Sequence, residues 1–326
     1  MYNIGIDFGG TNIVIGLVRG IQLIDTIRFS TDTTISAEKL IEKIAENVRQ
    51  LLFRNVIPME NVHSIGAGVP GTANLETGIV EYANNIGFYN TPFIKLLEQY
   101  LEKKVYFDND ANVAALGEYM IEKSKAKSFL LVTLGTGIGC GMIMDGKIYR
   151  GINYAAGEIG HMTIRYDGKP CNCGRRGCFE AYASSKALVE LTREKMQEAK
   201  DSMLWELCSR QLENIDGKLL FEAVAGGDKT ALKIREEYVE YLAQGLANII
   251  NILQPEALRI GGGVSRASEL FLPQVIEKVS RMIYSRDSEK NTDIRVARSF
   301  NEAGIIGASL LNSPKGAGIM MSKEFH

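Results

Sequence analysis

A glycine turn between two strands occurs twice in this chain of 326 residues, and that repetition constrains the fold more than any other feature. In the first copy an apolar strand from Tyr2 to Phe8 runs into Gly9, Gly10, Thr11 and Asn12. It continues as a second strand from Ile13 to Val18, with a third expected from Ile21 to Phe29. In the second copy Ser128 to Thr133 runs into Leu134-Gly135-Thr136-Gly137-Ile138-Gly139-Cys140-Gly141 and returns through Met142 to Met144. The copies stand about 125 residues apart, which argues for two domains of related topology. Paired glycines let backbone N–H groups come close to whatever occupies the turn, and phosphate is the usual occupant. A plain hairpin is the alternative, since Gly-Gly is common in turns. On the phosphate reading, Gly9, Gly10, Thr11 and Asn12 and then Gly135, Thr136 and Gly137 offer donors to one shared polyphosphate, with Asp7 at the end of the first strand.

Composition narrows the function classes. Hydrophobic residues make up 45% and charged residues 23% of the chain, values of an ordinary globular protein long enough for two α/β domains. With 37 Lys+Arg against 39 Asp+Glu the net charge is −2, and no basic stretch suggests a nucleic-acid partner. The N-terminus enters a strand pattern at once, and no apolar run reaches the roughly 18 residues of a membrane span, so a cytoplasmic protein without a membrane partner is expected.

Chemistry concentrates in four other stretches. Val105 to Phe107 is β-prone and leads into Asp108, Asn109, Asp110 and Asn112, after which Ala111 to Glu122 reads as a buried helix. Helix capping accounts for one or two of those polar residues. Two carboxylates and two carboxamides at the carboxyl end of a strand also suit a polyhydroxylated substrate and removal of a hydroxyl proton. Asn84 and Asn85, in a loop, either close a turn or meet sugar hydroxyls. Gly157-Glu158-Ile159-Gly160-His161 is followed by Cys171, Cys173 and Cys178 and then Glu180. Three thiols and an imidazole form the set that Zn²⁺ favours in a closed structural site; a reduced loop or a local disulfide are the alternatives. A bound metal would fix Glu158 and Glu180 as unpaired carboxylates facing sugar hydroxyls, unless they pair with Arg175 or Arg176 on the surface. Finally, a buried strand from Ala257 to Ile260 feeds Gly261, Gly262 and Gly263, which permit a flat nucleoside ring against the backbone or form a bare turn.

In this order, these motifs resemble the ROK family of sugar kinases and repressors over nearly the whole chain. The resemblance implies an α/β actin-like ATPase (ribonuclease H-like) fold with two α/β domains around a central cleft. The domains would be residues 1–110 plus 300–326, because the last helix returns to the N-terminal domain, and 111–299, which carries the zinc loop. It implies ATP and Mg²⁺ as cofactors with Zn²⁺ in the loop, phosphoryl transfer to a hexose hydroxyl, and a homodimer or homotetramer. Asp110 matches the family's catalytic base; Asn109, Glu158, His161 and Glu180 match its sugar ligands; and His161, Cys171, Cys173 and Cys178 match its zinc set. With Gly71 and Asn85 these complete the expected substrate contacts. Glucose, phosphorylated at its 6-hydroxyl, is the hexose expected first; Phe88 stands where many kinases of the family carry Trp, which keeps N-acetylmannosamine, fructose and allose open as alternatives, and polyphosphate stays open as a donor. A sugar-responsive regulator would carry a DNA-binding segment ahead of the first strand, where this chain has none, and a non-catalytic sensor would not need Asp110 and both turns.

Overall fold

The computed structural model describes residues 1–83, 86–299 and 302–313. Strands β1 (Tyr2–Phe8), β2 (Asn12–Arg19) and β3 (Gln22–Ser30) form an antiparallel meander, followed by helix α1 (Ala37–Arg54). Ser36 caps that helix by accepting from the Lys39 N–H, and Leu40, Ile41, Ile44, Val48 and Leu51 line its buried stripe. Next come β4 (Val62–Val69), the short strands β5 (Thr72–Asn74), β6 (Ile79–Ala83) and β7 (Phe88–Thr91), helix α2 (Phe93–Leu101), β8 (Val105–Asn109) and α3 (Asp110–Ile121). The main sheet has the order β3-β2-β1-β4-β8, with β4 parallel to both β1 and β8, while β5-β6-β7 form a separate antiparallel sheet. Parallel pairing of β1, β4 and β8 brings their carboxyl ends, and with them Asp7, Val69 and Asn109, to one edge of the sheet.

Strands β9 (Ser128–Leu134), β10 (Ile138–Met144) and β11 (Lys147–Ile148) start a second sheet. The helical stretch follows with α4 (Glu180–Ala183), α5 (Ser185–Glu198), α6 (Leu204–Leu207), α7 (Gly217–Ala225) and the long α8 (Lys229–Leu253). Strand β12 (Ala257–Gly261), helix α9 (Leu272–Met282), strand β13 (Asp293–Val296) and helix α10 (Ala303–Ser309) complete the described chain. The second sheet has the order β11-β10-β9-β12-β13. Where the sequence suggests one helix from Ser268 to Tyr284, a 3-10 stretch (Gly263–Leu270) precedes α9, and Pro273 stands at the start of α9 where its missing N–H is tolerated.

Contacts divide the chain into two compact units: residues 1–131, 141–157 and the described residues from 298 on, and residues 132–140 with 158–297. In the first unit α10 lies on β1, β4 and α3. The approach is close enough that a Cβ at Gly5 would come within 1.9 Å of the Ile305 carbonyl oxygen, and one at Gly117 within 1.9 Å of that of Ala303. Glycines in β1 and α3 thus admit the last helix, and Glu118 in α3 accepts N–H bonds from Arg298 and Ser299 to hold the approach to it. The boundary suggested after residue 110 passes through this α3–α10 pair.

Candidate functional site

The turn from β8 into α3 is built around a buried ion pair that the sequence does not announce. Asp108 is 1% exposed; its Oδ2 accepts from the Arg150 Nε at 2.6 Å and its Oδ1 from the Asn112 Nδ2 at 2.9 Å and the Asn109 N–H at 2.7 Å. One carboxylate therefore ties the strand end, the first turn of α3 and the segment after β11 together. Removing either partner would break this buried pair, at a cost of about 3–5 kcal/mol. Asn109 is the N-cap of α3: its Oδ1 accepts from the Ala111 N–H at 2.9 Å, and its Nδ2 donates to the Gly71 carbonyl at 3.1 Å. Gly71 itself has φ +81, and a Cβ there would meet the Tyr82 carbonyl oxygen at 1.9 Å, so only glycine fits. Asp110 opens the helix, half-buried, with its carboxylate against the Ala111 N–H at 2.9 Å. A carboxylate in this position can accept a proton from a neighbouring hydroxyl.

On the same unit, the first glycine turn is a tight hairpin. The Gly9 N–H donates to the Asn12 carbonyl at 3.0 Å, the Thr31 hydroxyl donates to the Gly9 carbonyl at 2.7 Å, and Gly10, Thr11 and Asn12 are exposed at the tip. Asp7, behind the turn, is half-buried; desolvation pushes its carboxyl up to about 6, and the Arg28 charge pulls against that shift. A Cβ at Gly304 would come within 2.8 Å of the Asp7 carboxyl carbon, so glycine keeps room around this group. Phe88 is buried, edge-on to Phe8 at 5.5 Å, and belongs to the core. Asn84 and Asn85 lie outside the described residues.

The second unit carries the other residues. Its glycine turn is closed by the Gly135 N–H donating to the Gly137 carbonyl at 3.0 Å, with Thr136 exposed at the tip. Glu180, the first residue of α4, does not stand as an unpaired carboxylate: its Oε2 accepts the Ile138 N–H at 2.8 Å. Glu158 is exposed, and desolvation of its carboxyl on the protein side raises its pKa; the neighbouring His161 charge opposes the shift and that of Glu180 adds to it. Arg175 is spent on the His161 carbonyl and the Thr163 hydroxyl, and Arg176 lies 3.8 Å from Asp167. Gly262 backs onto Leu134, whose carbonyl oxygen a Cβ would meet at 2.5 Å, whereas Gly263 faces open space.

His161, Cys171, Cys173 and Cys178 converge, with all four donor atoms within 4.8 Å of one another. Cys171 Sγ is 3.6 Å from His161 Nδ1, and Cys173 Sγ is 3.6 Å from Cys178 Sγ. Those separations match the edges, about 3.8 Å, of a tetrahedron with metal–sulfur bonds of about 2.3 Å. All five thiols are unbridged, which removes the disulfide alternative. The donor set and its spacing therefore fit Zn²⁺. His161 turns Nδ1 to the cluster and Nε2 toward Glu158, 3.9 Å away, so the ring's two nitrogens can serve two tasks.

A carboxylate at a helix start and two backbone-donor turns are parts suited to phosphoryl transfer, where positioning and charge stabilisation do most of the work. Residues 3–314 match the model of the ROK family. The chain is 35% identical over 310 residues to the glucokinase of Thermotoga maritima, covering 94% of this chain and 95% of that one. Over 311 residues it is 34% identical to the glucokinase of Halalkalibacterium halodurans, covering 94% of each. The crystal structure of a ROK family glucokinase from Streptomyces griseus, in complex with glucose and AMPPNP, matches with a TM-score of 0.85 at 30% identity, covering 95% of this chain and 99% of that one. The chain belongs to the ROK family, and its fold is the actin-like ATPase fold.

Proposed function

We propose that this protein is an ATP-dependent hexose kinase that phosphorylates the 6-hydroxyl of glucose, with Asp110 as the general base. The observation that carries the reading is the carboxylate of Asp110 at the N-terminus of α3, on a turn held by the buried Asp108–Arg150 pair. Full-length similarity to glucokinases supports glucose as the acceptor. As the 6-oxygen attacks the γ-phosphorus, a new P–O bond forms, the bond to the β–γ bridging oxygen breaks and ADP leaves. The hydroxyl proton passes to the Asp110 carboxylate and from there to solvent.

In this reading Asn109, Glu158, His161 through Nε2, and Glu180 hold the other sugar hydroxyls, with Gly71 and Asn85 completing the subsite. Gly9, Gly10, Thr11 and Asn12, and Gly135, Thr136 and Gly137, border the phosphates, with donors drawn from the turn tips because the Gly9 and Gly135 N–H groups already close the turns, and Gly261 to Gly263 border the nucleoside. Asp7 would hold Mg²⁺ directly or through water, and the ion supplies charge neutralisation on the transferred group. His161, Cys171, Cys173 and Cys178 would hold a structural Zn²⁺. A cytoplasmic location belongs to the same reading; no helix among the described residues is long and apolar enough to cross a membrane. Assembly as a homodimer or homotetramer belongs to the same reading, and light scattering measures it.

The test is ADP release with glucose, N-acetylmannosamine, allose and fructose, with ATP and with polyphosphate as donors. The reading predicts the highest kcat/KM for glucose with ATP. Turnover on none of the four would sink it, and a clear preference for another hexose would replace the substrate while keeping the chemistry.

A further inference from the structure

The glycine turn at residues 135–137 is held from outside itself, and by chain that carries metal ligands. Glu180 stands two residues after Cys178, and its Oε2 accepts the Ile138 N–H at 2.8 Å. Gly137 leaves room for that bond, since a Cβ there would lie 2.3 Å from the same oxygen. At the other end of the turn, the Ser185 N–H donates to the Gly135 carbonyl at 2.8 Å. From a third direction, Gly160, next to the ligand His161, approaches so closely that a Cβ would meet the Ile138 carbonyl oxygen at 2.4 Å. Both segments that supply the Cys₃His donors thus end against the backbone of one short turn.

We infer that the Cys178–Ser185 segment is a clamp that presets the second phosphate turn. Glu180 is its positioning residue, so nucleotide affinity depends on Glu180 and Ser185 even when no sugar is bound. The inference rests on the proposed reading that this turn holds phosphate, and it gives Glu180 a task beyond its place among the sugar ligands. The physical ground is preorganisation. A turn whose carbonyl at residue 135 and N–H at residue 138 are already fixed loses less freedom on meeting a phosphate than one held only by its own internal bond. The backbone donors then need no rearrangement when the anion arrives. Because one carboxylate serves both the turn and the sugar subsite, occupancy of the two is linked, and linkage of this kind is reciprocal.

The test is titration with AMPPNP and Mg²⁺ in the absence of any sugar, on the full chain and four variants. Glu180→Ala removes the acceptor, while Glu180→Gln keeps a side-chain oxygen for the Ile138 N–H. Ser185→Pro removes the other N–H at the first position of α5, where proline is tolerated, after Ser184 at φ −71 and ψ 164, a conformation that suits a following proline. Ser185→Ala keeps that N–H. The expected result is about tenfold weaker nucleotide binding for Glu180→Ala and Ser185→Pro, and a change within about twofold for the two conservative variants. Wild-type affinity in Glu180→Ala and Ser185→Pro, or weakening that emerges only with glucose present, would overturn the clamp and leave Glu180 a sugar ligand alone. If the full chain itself bound no nucleotide, the kinase reading would fail first and the clamp with it. Should either variant not fold, amide exchange of the unmodified protein decides. Protection of the Ile138 N–H well above that of Thr136 supports the clamp, and equal exchange overturns it.

Discussion

The two glycine turns look like one device in the sequence but are supported in opposite ways. The turn at residues 9–12 supports itself: the Gly9 N–H closes it onto Asn12, and its nearest brace, Thr31, comes from the end of the same three-stranded meander. By contrast, the turn at residues 135–137 is braced at both ends by Glu180 and Ser185, more than 40 positions further along the chain. The first should therefore form whenever its meander forms. The second should depend on a remote loop, and through it on the Zn²⁺ proposed for the four donors.

Four experiments press on that difference. The largest effect is expected from Gly137→Ala, whose new methyl group would meet the Glu180 carboxylate and displace it: kcat/KM should fall by about 100-fold. Gly135→Ala, with no heavy atom nearer than 3.9 Å to its Cβ, should give much the smaller loss of the two. Equal losses would mean that the turn's own backbone, and not the clamp, sets its tolerance. Next in size is metal removal. Chelation should take out about one Zn²⁺ per chain, speed amide exchange at Ile138 and weaken AMPPNP binding about tenfold, while the Gly9 amide keeps its protection. Loosening of both turns together would erase the contrast.

Smaller effects belong to the first turn. Asp7 is shifted upward, from 3.8 to about 6, so it favours the protonated form in the folded protein. Its contribution to stability is then fully present below about pH 3.8 and is lost as pH rises through about 6. Urea unfolding between pH 4 and pH 7 without Mg²⁺ should show that loss, on the order of 1 kcal/mol, and Asp7→Asn should flatten it. On the proposed reading, in which Asp7 holds Mg²⁺, the ion needs the ionised carboxylate, and its affinity should rise over the same window. Least of all, Thr31→Val removes the hydroxyl donor to the Gly9 carbonyl and should cost about 0.5–1 kcal/mol of stability. A greater loss would show that the first turn also leans on outside support.

What the sequence disclosed follows from how local each signal is. Strands β1, β2 and β8, helix α3 and the glycine turns are written in periodicity and turn residues within a few positions, and all were legible. So was the Cys₃His set, because donor type and spacing are chemistry that survives without coordinates. Two parts were not legible. Arg150 lies in an unpatterned stretch after β11, and nothing near it hints that its guanidinium is buried against Asp108, 42 positions earlier. Likewise, reading Glu180 as an unpaired carboxylate missed its bond to Ile138, also 42 positions earlier, because a backbone N–H leaves no mark in composition. The four polar residues at 108–112 divide accordingly. Asn109 caps the helix, Asp108 and Asn112 belong to the buried network, and Asp110 opens the helix, where the proposed reading places the base.

That division makes Asp110→Asn the most direct measurement. It exchanges the proposed base for a near-isostere and leaves the buried Asp108–Arg150 pair in place. Glucose binding, followed by calorimetry, should stay within a few-fold of the unmodified protein, while turnover should fall by about a thousandfold or more. Near-native turnover in Asp110→Asn would contradict the assignment of the base.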